Sequence, residues 1–247
     1  MSTLLEGRIA VVTGASEGIG FATAKRFAEE GAQVVIAARR QVELDRAVAA
    51  IGQGTIGVRT DVSKQADLDA LFETVATAHG RIDVLVANAS TFQTIPLGEL
   101  TEQHIDETLG VNVKGMAFTV QKALPLLSQN ASIVLTSSSD NQTGGPGRSL
   151  YAASKAAERN LARSWLVELA DRGIRVNAIS PGPTATEGLE RNAGVDDIEA
   201  AMGSLIPRGS LIKPVEVANA ILFLVSDLGS GVNGIELTVD GGYAQAR

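Results

Sequence analysis

The chain alternates short, continuously apolar segments with longer segments in which apolar residues recur at helical spacing. Short apolar runs are typical of strands buried on both faces, and longer amphipathic stretches are typical of helices that cover a sheet. The predicted strands span residues 8–13, 33–38, 55–59, 82–87, 132–136, 174–179 and 235–239. The predicted helices span residues 18–30, 41–51, 63–79, 101–127, 150–171 and 214–226. This alternation predicts a doubly wound α/β domain with a parallel sheet.

The chain shows no linker, repeat or change of composition that would divide it. We therefore expect residues 1–247 to form a single dinucleotide-binding and catalytic domain. One irregular stretch, residues 184–213, follows the sixth predicted strand and has mixed polarity. A long connection of this kind is usually a lid or a pocket wall, so we expect a substrate lid there. The alternative is a surface excursion without a role in binding.

Composition narrows the classes of function. The net charge is −7, which argues against nucleic-acid and anionic membrane partners. The chain has no cysteine, so disulfides, thiolate metal sites and cysteine nucleophiles are excluded. His79 and His104 lack partners at metal-ligand spacing, and we expect no metal. Without a signal peptide or an apolar run of membrane-spanning length, a cytoplasmic protein is expected.

Tyr151 and Lys155 are the most informative pair of residues. They are four positions apart in a predicted helix, so their side chains share one face. A cation beside a phenol favours the phenolate, and we expect the pKa of Tyr151 to fall from about 10. Tyr151 would then serve as an acid or base near neutral pH. Alone the spacing is a weak signal, but Ser138 follows a predicted strand nearby.

A glycine-rich loop joins the first predicted strand to the first predicted helix. It contains Gly14, Gly18 and Gly20. Glycines permit a sharp turn and a close approach of a ligand, and free amides at the helix N-terminus can bind a pyrophosphate. The position between a strand and a helix is the one that dinucleotide binding requires.

Two arginines, Arg39 and Arg40, follow the second predicted strand. An acidic residue there would bind the ribose 2′-hydroxyl of NAD, whereas guanidinium groups pair well with a phosphate. We therefore expect NADP(H), with its 2′-phosphate, as the cofactor. The alternative is a pair of solvated arginines, although arginine is not favoured at a helix N-terminus.

Together, the motifs resemble the short-chain dehydrogenase/reductase family over essentially the whole chain. They are Thr13-Gly14-x-x-x-Gly18-Ile19-Gly20, Asp61-Val62, Asn88-Ala89, Asn112, Ser138, Tyr151-x-x-x-Lys155, Pro181-Gly182 and Val239-Asp240-Gly241-Gly242. The resemblance implies a Rossmann fold with a seven-stranded parallel sheet in the order 3-2-1-4-5-6-7. It also implies a homotetramer. The apolar residues of 150–171 lie on more than one helix face, which agrees with an interface, but a monomer is the alternative.

The resemblance implies a role for each catalytic residue. Tyr151 would be the general acid in ketone reduction, and Lys155 would lower its pKa and bind the nicotinamide ribose. Ser138 would hydrogen-bond the substrate oxygen, and Asn112 would hold a water molecule that links Lys155 to solvent. The expected cofactor-binding residues are Gly14, Ser16, Gly18, Ile19, Gly20, Arg39, Arg40, Asp61, Val62, Asn88, Ala89, Tyr151, Lys155, Pro181, Gly182, Thr184 and Thr186.

The substrate pocket is less well defined. Its expected residues are Ser90, Asp140, Gln142 and Leu150, and Ser90 stands where the family usually has glycine. We expect an oxidoreductase that transfers a hydride between NADP(H) and a small ketone or secondary alcohol.

Other functions remain open at this point. A 3-oxoacyl-[acyl-carrier-protein] reductase would need basic residues at the site entrance, for which Arg148, Arg191 and Arg208 are candidates. A nucleotide-sugar epimerase or dehydratase would usually be longer. A cofactor-sensing regulator would not need the tyrosine, the lysine and the serine.

Overall fold

The computed structural model describes residues 3–193 and 197–246. Seven strands form its sheet: β1 (Ile9–Thr13), β2 (Gln33–Ala38), β3 (Ile56–Arg59), β4 (Ile82–Ala87), β5 (Leu127–Thr136), β6 (Arg175–Pro181) and β7 (Glu236–Val239). The helices are α1 (Gly18–Glu29), α2 (Gln41–Ile51), α3 (Gln65–His79), α4 (Glu102–Leu109), α5 (Met116–Ala123), α6 (Ser149–Glu168), α7 (Glu187–Ala193), α8 (Ile198–Gly203) and α9 (Pro214–Val225). A π-helical turn, Gly110–Gly115, joins α4 to α5.

The seven strands form one parallel sheet in the order β3-β2-β1-β4-β5-β6-β7, which confirms the predicted order. β1 lies between β2 and β4, so the chain reverses its direction of travel across the sheet at β1. The connections on either side of that point leave toward opposite faces. A crevice therefore opens at the carboxyl ends of β1 and β4, where ligands bind in this type of sheet.

Alternate residues of each strand enter two apolar cores. Ala10 and Val12 of β1 pack on the side of α1, α2 and α9. Val11, between them, packs on the side of α3, α5 and α6. Both faces of the strand are therefore buried, which explains why the strands are continuously apolar in sequence.

The predicted helix 101–127 is the largest departure from expectation. The π-helical turn interrupts it, α5 ends at Ala123, and β5 begins at Leu127 rather than at residue 132. The register of the pairing between β4 and β5 shifts between Ile82 and Val84. This shift divides β5 into its first part, which was not predicted, and residues 132–136, which were. Amphipathic spacing cannot reveal a π-helical turn, because the residues on both sides of it remain helical.

The predicted lid crosses the carboxyl edge of the sheet. Its described part contains α7 and α8 and returns through a parallel bridge between Thr184 and Ile212. A small apolar cluster centred on Ile206, Leu211 and Tyr243 supports it. Residues 194–196 of the predicted lid lie outside the described residues. Within the described residues, no helix is both long enough and apolar enough to span a bilayer.

Replacing Leu44 with alanine should lower the free energy of unfolding by about 2–5 kcal/mol, because lost methyl groups leave a cavity in the core. Leu44 is fully buried on α2, whereas Val42 of the same helix is 59% exposed. Val42→Ala should change the free energy by less than about 0.5 kcal/mol. Chemical denaturation at one protein concentration measures both, and equal losses would contradict the core position of Leu44.

Candidate active site

A cleft of about 590 Å³ opens at the carboxyl edge of the sheet, beside the segment 184–213. All seventeen residues expected to bind the cofactor line it, and so do Ser138, Ser90 and Asp140. Asn112, Gln142 and Leu150 do not line it. Leu189, Arg191 and Met202 of the expected lid segment also line the cleft, together with Glu17, Thr60 and Arg148, which sequence reasoning did not assign to the cofactor or the substrate.

The glycine loop is closely packed against the end of β4. Gly14 has φ 65°, and a Cβ atom there would lie 2.7 Å from the Cα atom of Ala89. A Cβ atom on Gly20 would collide with the carbonyl oxygen of Gly14. The side-chain amide of Asn88 donates to the carbonyl oxygens of Thr13 and Gly14, both at 3.1 Å. The loop thus forms a backbone-lined cradle of the kind that fits a pyrophosphate.

The two arginines after β2 have different surroundings. The guanidinium of Arg40 pairs with Glu17 of the glycine loop at 2.6 Å, and Arg191 of α7 pairs with the same carboxylate. Partial burial alone would raise the pKa of Glu17, but these two arginines hold it below its ordinary value. Arg39 is exposed and makes no hydrogen bond or ion pair within the described residues. Arg39 is therefore the guanidinium available to a ligand.

Asp61 lies beside Arg39 at the end of β3. Its carboxylate accepts hydrogen bonds from the backbone amide and the hydroxyl of Ser63, at 3.1 and 2.7 Å. Partial burial alone would raise the pKa of Asp61. The hydrogen bonds from Ser63 and the charge of Arg39 outweigh this effect and hold the pKa below its ordinary value. Ser63, the first residue of the predicted helix 63–79, forms this turn instead, and α3 begins at Gln65.

Tyr151 lies on the first turn of α6 and faces the cleft. Its hydroxyl is hydrogen bonded to Ser138, and the ammonium of Lys155 is 5.5 Å from the centre of its ring. Burial raises the pKa of Tyr151 more than the charge of Lys155 lowers it, so the pKa lies above its ordinary value. The expected lowering of this pKa was wrong for the protein without a ligand, because desolvation of the phenolate outweighs the attraction of the ammonium.

Lys155 is buried, with 1% of its side chain exposed. Its ammonium donates to the carbonyl oxygen of Thr136 at 2.9 Å and to both carboxylate oxygens of Glu158 at 3.0 and 3.1 Å. Burial raises the pKa of Glu158 to about 7 against the opposing charge of Lys155. Burial lowers the pKa of Lys155, but Glu158 reverses this and the net change is upward. Sequence reasoning missed Glu158, because its spacing from Lys155 is also typical of surface ion pairs.

The side chain of Asn112 lies in the π-helical turn, behind the cleft. Its amide donates to the carbonyl oxygen of Thr91 and to the hydroxyl of Ser154, at 3.0 and 2.9 Å. Its oxygen accepts from the amide of Thr91 and from the hydroxyl of Ser90. The nitrogen and the oxygen of the Asn112 side-chain amide are thus bound to protein partners, and through them Asn112 braces the loop after β4 against α6. The water molecule that the family resemblance assigns to Asn112 stays a prediction.

An aromatic and ionic wall adjoins Tyr151. The ring of Phe92 meets the ring of Tyr151 edge-on, with centres 4.8 Å apart. The guanidinium of Arg148 lies 5.5 Å from the centre of the Phe92 ring and pairs with Asp140 at 2.8 Å. This wall gives the substrate side of the cleft an apolar surface with a neutralised ion pair behind it.

Gln142 and Leu150, which were expected in the substrate pocket, are not among the residues that line this cleft. Gln142 follows the short turn Ser139–Asn141 and is hydrogen bonded to Glu236 of β7, away from the cleft. Leu150 precedes Tyr151 on α6, and adjacent helix positions point about 100° apart. The aromatic residue that does adjoin Tyr151 is Phe92, in the loop after β4.

This chain belongs to the short-chain dehydrogenase/reductase family. A family model described as enoyl-(acyl carrier protein) reductase matches residues 14–244. The fold and the sheet order agree with that membership. The chain is accordingly an oxidoreductase.

Curated relatives match over nearly their full length. Oxidoreductase asL5 of Sarocladium schorii is 46% identical, with 98% of this chain and 97% of the relative covered. Cis-4-hydroxycyclohexanecarboxylate dehydrogenase of Sinomonas cyclohexanicum is 42% identical, with 96% of each covered. The 3-oxoacyl-[acyl-carrier-protein] reductase FabG of Thermotoga maritima is 39% identical, with 96% and 98% covered.

A solved structure with the same fold contains a dinucleotide. The 3-ketoacyl-(acyl-carrier-protein) reductase of Brucella melitensis, complexed with NADH, superposes with a TM-score of 0.90. It is 32% identical, and 97% of this chain and 99% of that chain are covered. The family uses nicotinamide dinucleotides, which agrees with the cradle formed by the glycine loop here.

Proposed function

We propose that this protein is an NADP(H)-dependent carbonyl reductase and secondary alcohol dehydrogenase. The observation that carries the proposal is the grouping of Tyr151, Ser138 and Lys155 in one cleft with the glycine cradle. A cofactor-sensing regulator would have no use for a phenol hydrogen bonded to a serine beside a buried ammonium. We therefore favour an enzyme.

Because its pKa is raised, the phenol of Tyr151 keeps its proton at neutral pH, and this is the form that a general acid must have in ketone reduction. Tyr151 would donate that proton to the carbonyl oxygen as the alcohol forms, and solvent would later return it. Ser138 would donate a hydrogen bond to the same oxygen, a contribution worth about 10²–10³ in rate. Lys155 would stabilise the phenolate left behind. A bound nicotinamide would supply the hydride, and would accept it when an alcohol is oxidised.

The choice of NADP(H) over NAD(H) rests on Arg39. The cradle of Gly14 and Gly20 fits the pyrophosphate of either cofactor. Arg39 is the unpaired cation at the end of β2, where a 2′-phosphate would lie, while the charge of Arg40 is offset by Glu17. We therefore assign the 2′-phosphate to Arg39, with Arg40 as a weaker contributor.

A small ketone or secondary alcohol fits the substrate side better than an acyl group on a carrier protein. An acidic carrier would require free basic residues at the entrance. Arg148 is paired with Asp140, Arg191 with Glu17, and Arg208 with Glu216. A relative named for a cyclic hydroxy acid, at 42% identity, supports a small substrate. The FabG relative at 39% identity keeps the acyl-carrier reaction as the second candidate.

The segment 184–213 is proposed as the substrate lid of this single domain. Leu189 and Met202 from this segment line the cleft. Thr186 packs against Gly18 of the glycine loop, with its hydroxyl accepting the amide of Leu189 at 3.1 Å. The lid therefore contacts both the proposed cofactor cradle and the proposed substrate side.

Changing Tyr151 to phenylalanine should abolish nearly all reduction of trifluoroacetophenone by NADPH, because a general acid contributes about 10²-fold or more. The affinity for NADPH and the thermal unfolding midpoint should stay close to those of the parent. Stopped-flow absorbance of NADPH measures the rate. More than about a tenth of the activity remaining would contradict the role of Tyr151.

Changing Arg39 to aspartate should reduce kcat/KM for NADPH by about 10-fold to 100-fold and leave NADH much less affected. A charge-assisted hydrogen bond worth about 1.5–3 kcal/mol is replaced by repulsion. Arg46→Asp, an exposed position farther along α2, makes the same charge change away from the crevice and is the control. Equal losses with both cofactors would show that Arg39 does not read the 2′-phosphate.

We also propose a homotetramer with dihedral symmetry. Ile105 and Leu109 of α4 are 39% and 38% exposed, and α4 contacts α6, on which Ala153 and Ala156 are exposed. β7 is an edge strand, and Ile235 before it is 42% exposed. These two surfaces are separate, as two independent two-fold contacts require. The C-terminal segment is a weaker candidate for a contact between subunits, because Tyr243 is buried in its own chain.

Light scattering at micromolar concentration should give four times the 25.6 kDa mass of the chain. Ile105→Glu should reduce this mass, because a charge placed in an apolar interface must be desolvated. Val42→Glu, on an exposed part of α2, should leave the mass unchanged. If the parent protein scatters light as a single chain, the tetramer is refuted. If it has the mass of two chains, only one of the two proposed interfaces forms.

A further inference from the structure

Glu158 is a buried carboxylate to which the proposed reaction assigns no role. It lies on α6, one turn after Lys155 and two turns after Tyr151, so all three share one face of the helix. Its side chain is completely buried. Both of its oxygens accept from the ammonium of Lys155, at 3.0 and 3.1 Å.

Packing alone does not account for a carboxylate at this position. Burying an ionised pair is unfavourable unless its geometry and hydrogen bonds compensate, and an apolar residue of similar size would often be at least as stable. The ammonium of Lys155 already donates to the carbonyl oxygen of Thr136 at 2.9 Å. The carboxylate of Glu158 adds a second fixed contact for this ammonium, from the other side. The effect of Glu158 is therefore directed at Lys155.

We propose that Glu158 is a positioning residue that clamps the ammonium of Lys155 at the end of β5 and limits how much of its charge acts on Tyr151. The inference rests on the proposed role of Tyr151 as general acid. A negative charge on Glu158 opposes the stabilisation of the Tyr151 phenolate by Lys155, and a protonated Glu158 leaves that stabilisation unopposed.

The ionisation of Glu158 and Tyr151 depends on the charged groups that lie near them. Glu158 is acted on by Lys155, and Tyr151 is acted on by Lys155, by Glu158 and by Asp140 in the turn after β5. The carboxylate of Asp140 is itself paired with Arg148. The pKa of about 7 for Glu158 places a change of its charge within the range in which the enzyme would be assayed. Removing the charge of Glu158 should therefore alter the ionisation of Tyr151 directly.

The test is a spectrophotometric titration of tyrosinate in the cofactor-free protein. The chain has two tyrosines, so subtracting the titration of Tyr151→Phe isolates the signal of Tyr151. In Glu158→Gln, which keeps the size and a hydrogen-bond acceptor, Tyr151 should ionise about one pH unit lower. Glu158 lies two helical turns, or ~10 Å, from Tyr151. Removing a unit charge at that distance shifts a pKa by about one unit when the effective dielectric constant is ~20. Glu168→Gln, exposed at the end of α6, should cause no shift.

A second measurement is the pH dependence of kcat/KM for phenylethanol oxidation, in which the Tyr151 phenolate would act as the base. Its acidic limb should move down by a similar amount in Glu158→Gln. Unchanged or higher values in both measurements would overturn the inference, and circular dichroism confirms that each variant is folded. If Tyr151→Phe keeps its activity, the proposed function fails. If Tyr151→Phe is inactive and Glu158→Gln shows no shift, only this inference fails.

Discussion

The link between the carboxyl ends of β1 and β4 is the contact on which the rest of the cleft depends. At this point the connections of the sheet leave toward opposite faces, which opens the crevice between the two strand ends. The hydroxyl of Thr13 accepts the backbone amides of Asn88 and Ala89, and the side chain of Asn88 donates back to the glycine loop. The loop is thereby held so close to β4 that no residue with a Cβ atom fits at Gly14.

Burial sets the acid–base character of the other half of the cleft. The same desolvation that raises the pKa of Tyr151 also raises the pKa of Glu158. A proton therefore remains on the phenol of Tyr151. The buried ammonium of Lys155 is held between the carbonyl oxygen of Thr136 and the carboxylate of Glu158. For the Tyr151 phenolate, attraction to the ammonium of Lys155 and loss of solvation oppose each other. The balance between them depends on the charges of Lys155 and Glu158, which lie on the same face of α6.

The features that the sequence predicted are those carried by short, regular patterns. The order of the sheet follows from motifs spread along the whole chain, and Tyr151 and Lys155 meet because helical spacing places them together. Gln142 and Leu150 are harder to place from the sequence, because the direction of a side chain in a turn, or at the start of a helix, depends on tertiary packing. Glu158 escaped notice because burial, which distinguishes it from a surface glutamate, is not encoded in its spacing from Lys155.

The contact between α7 and the glycine loop is a partly exposed ion pair. Arg191 reaches Glu17 across the mouth of the cleft, and its side chain is half exposed. An ion pair in such a position contributes about 0–1 kcal/mol, which is comparable to the thermal energy of about 0.6 kcal/mol, and salt weakens it further. This contact therefore adds little to the free energy that holds α7 beside the glycine loop, and thermal motion alone is enough to break it.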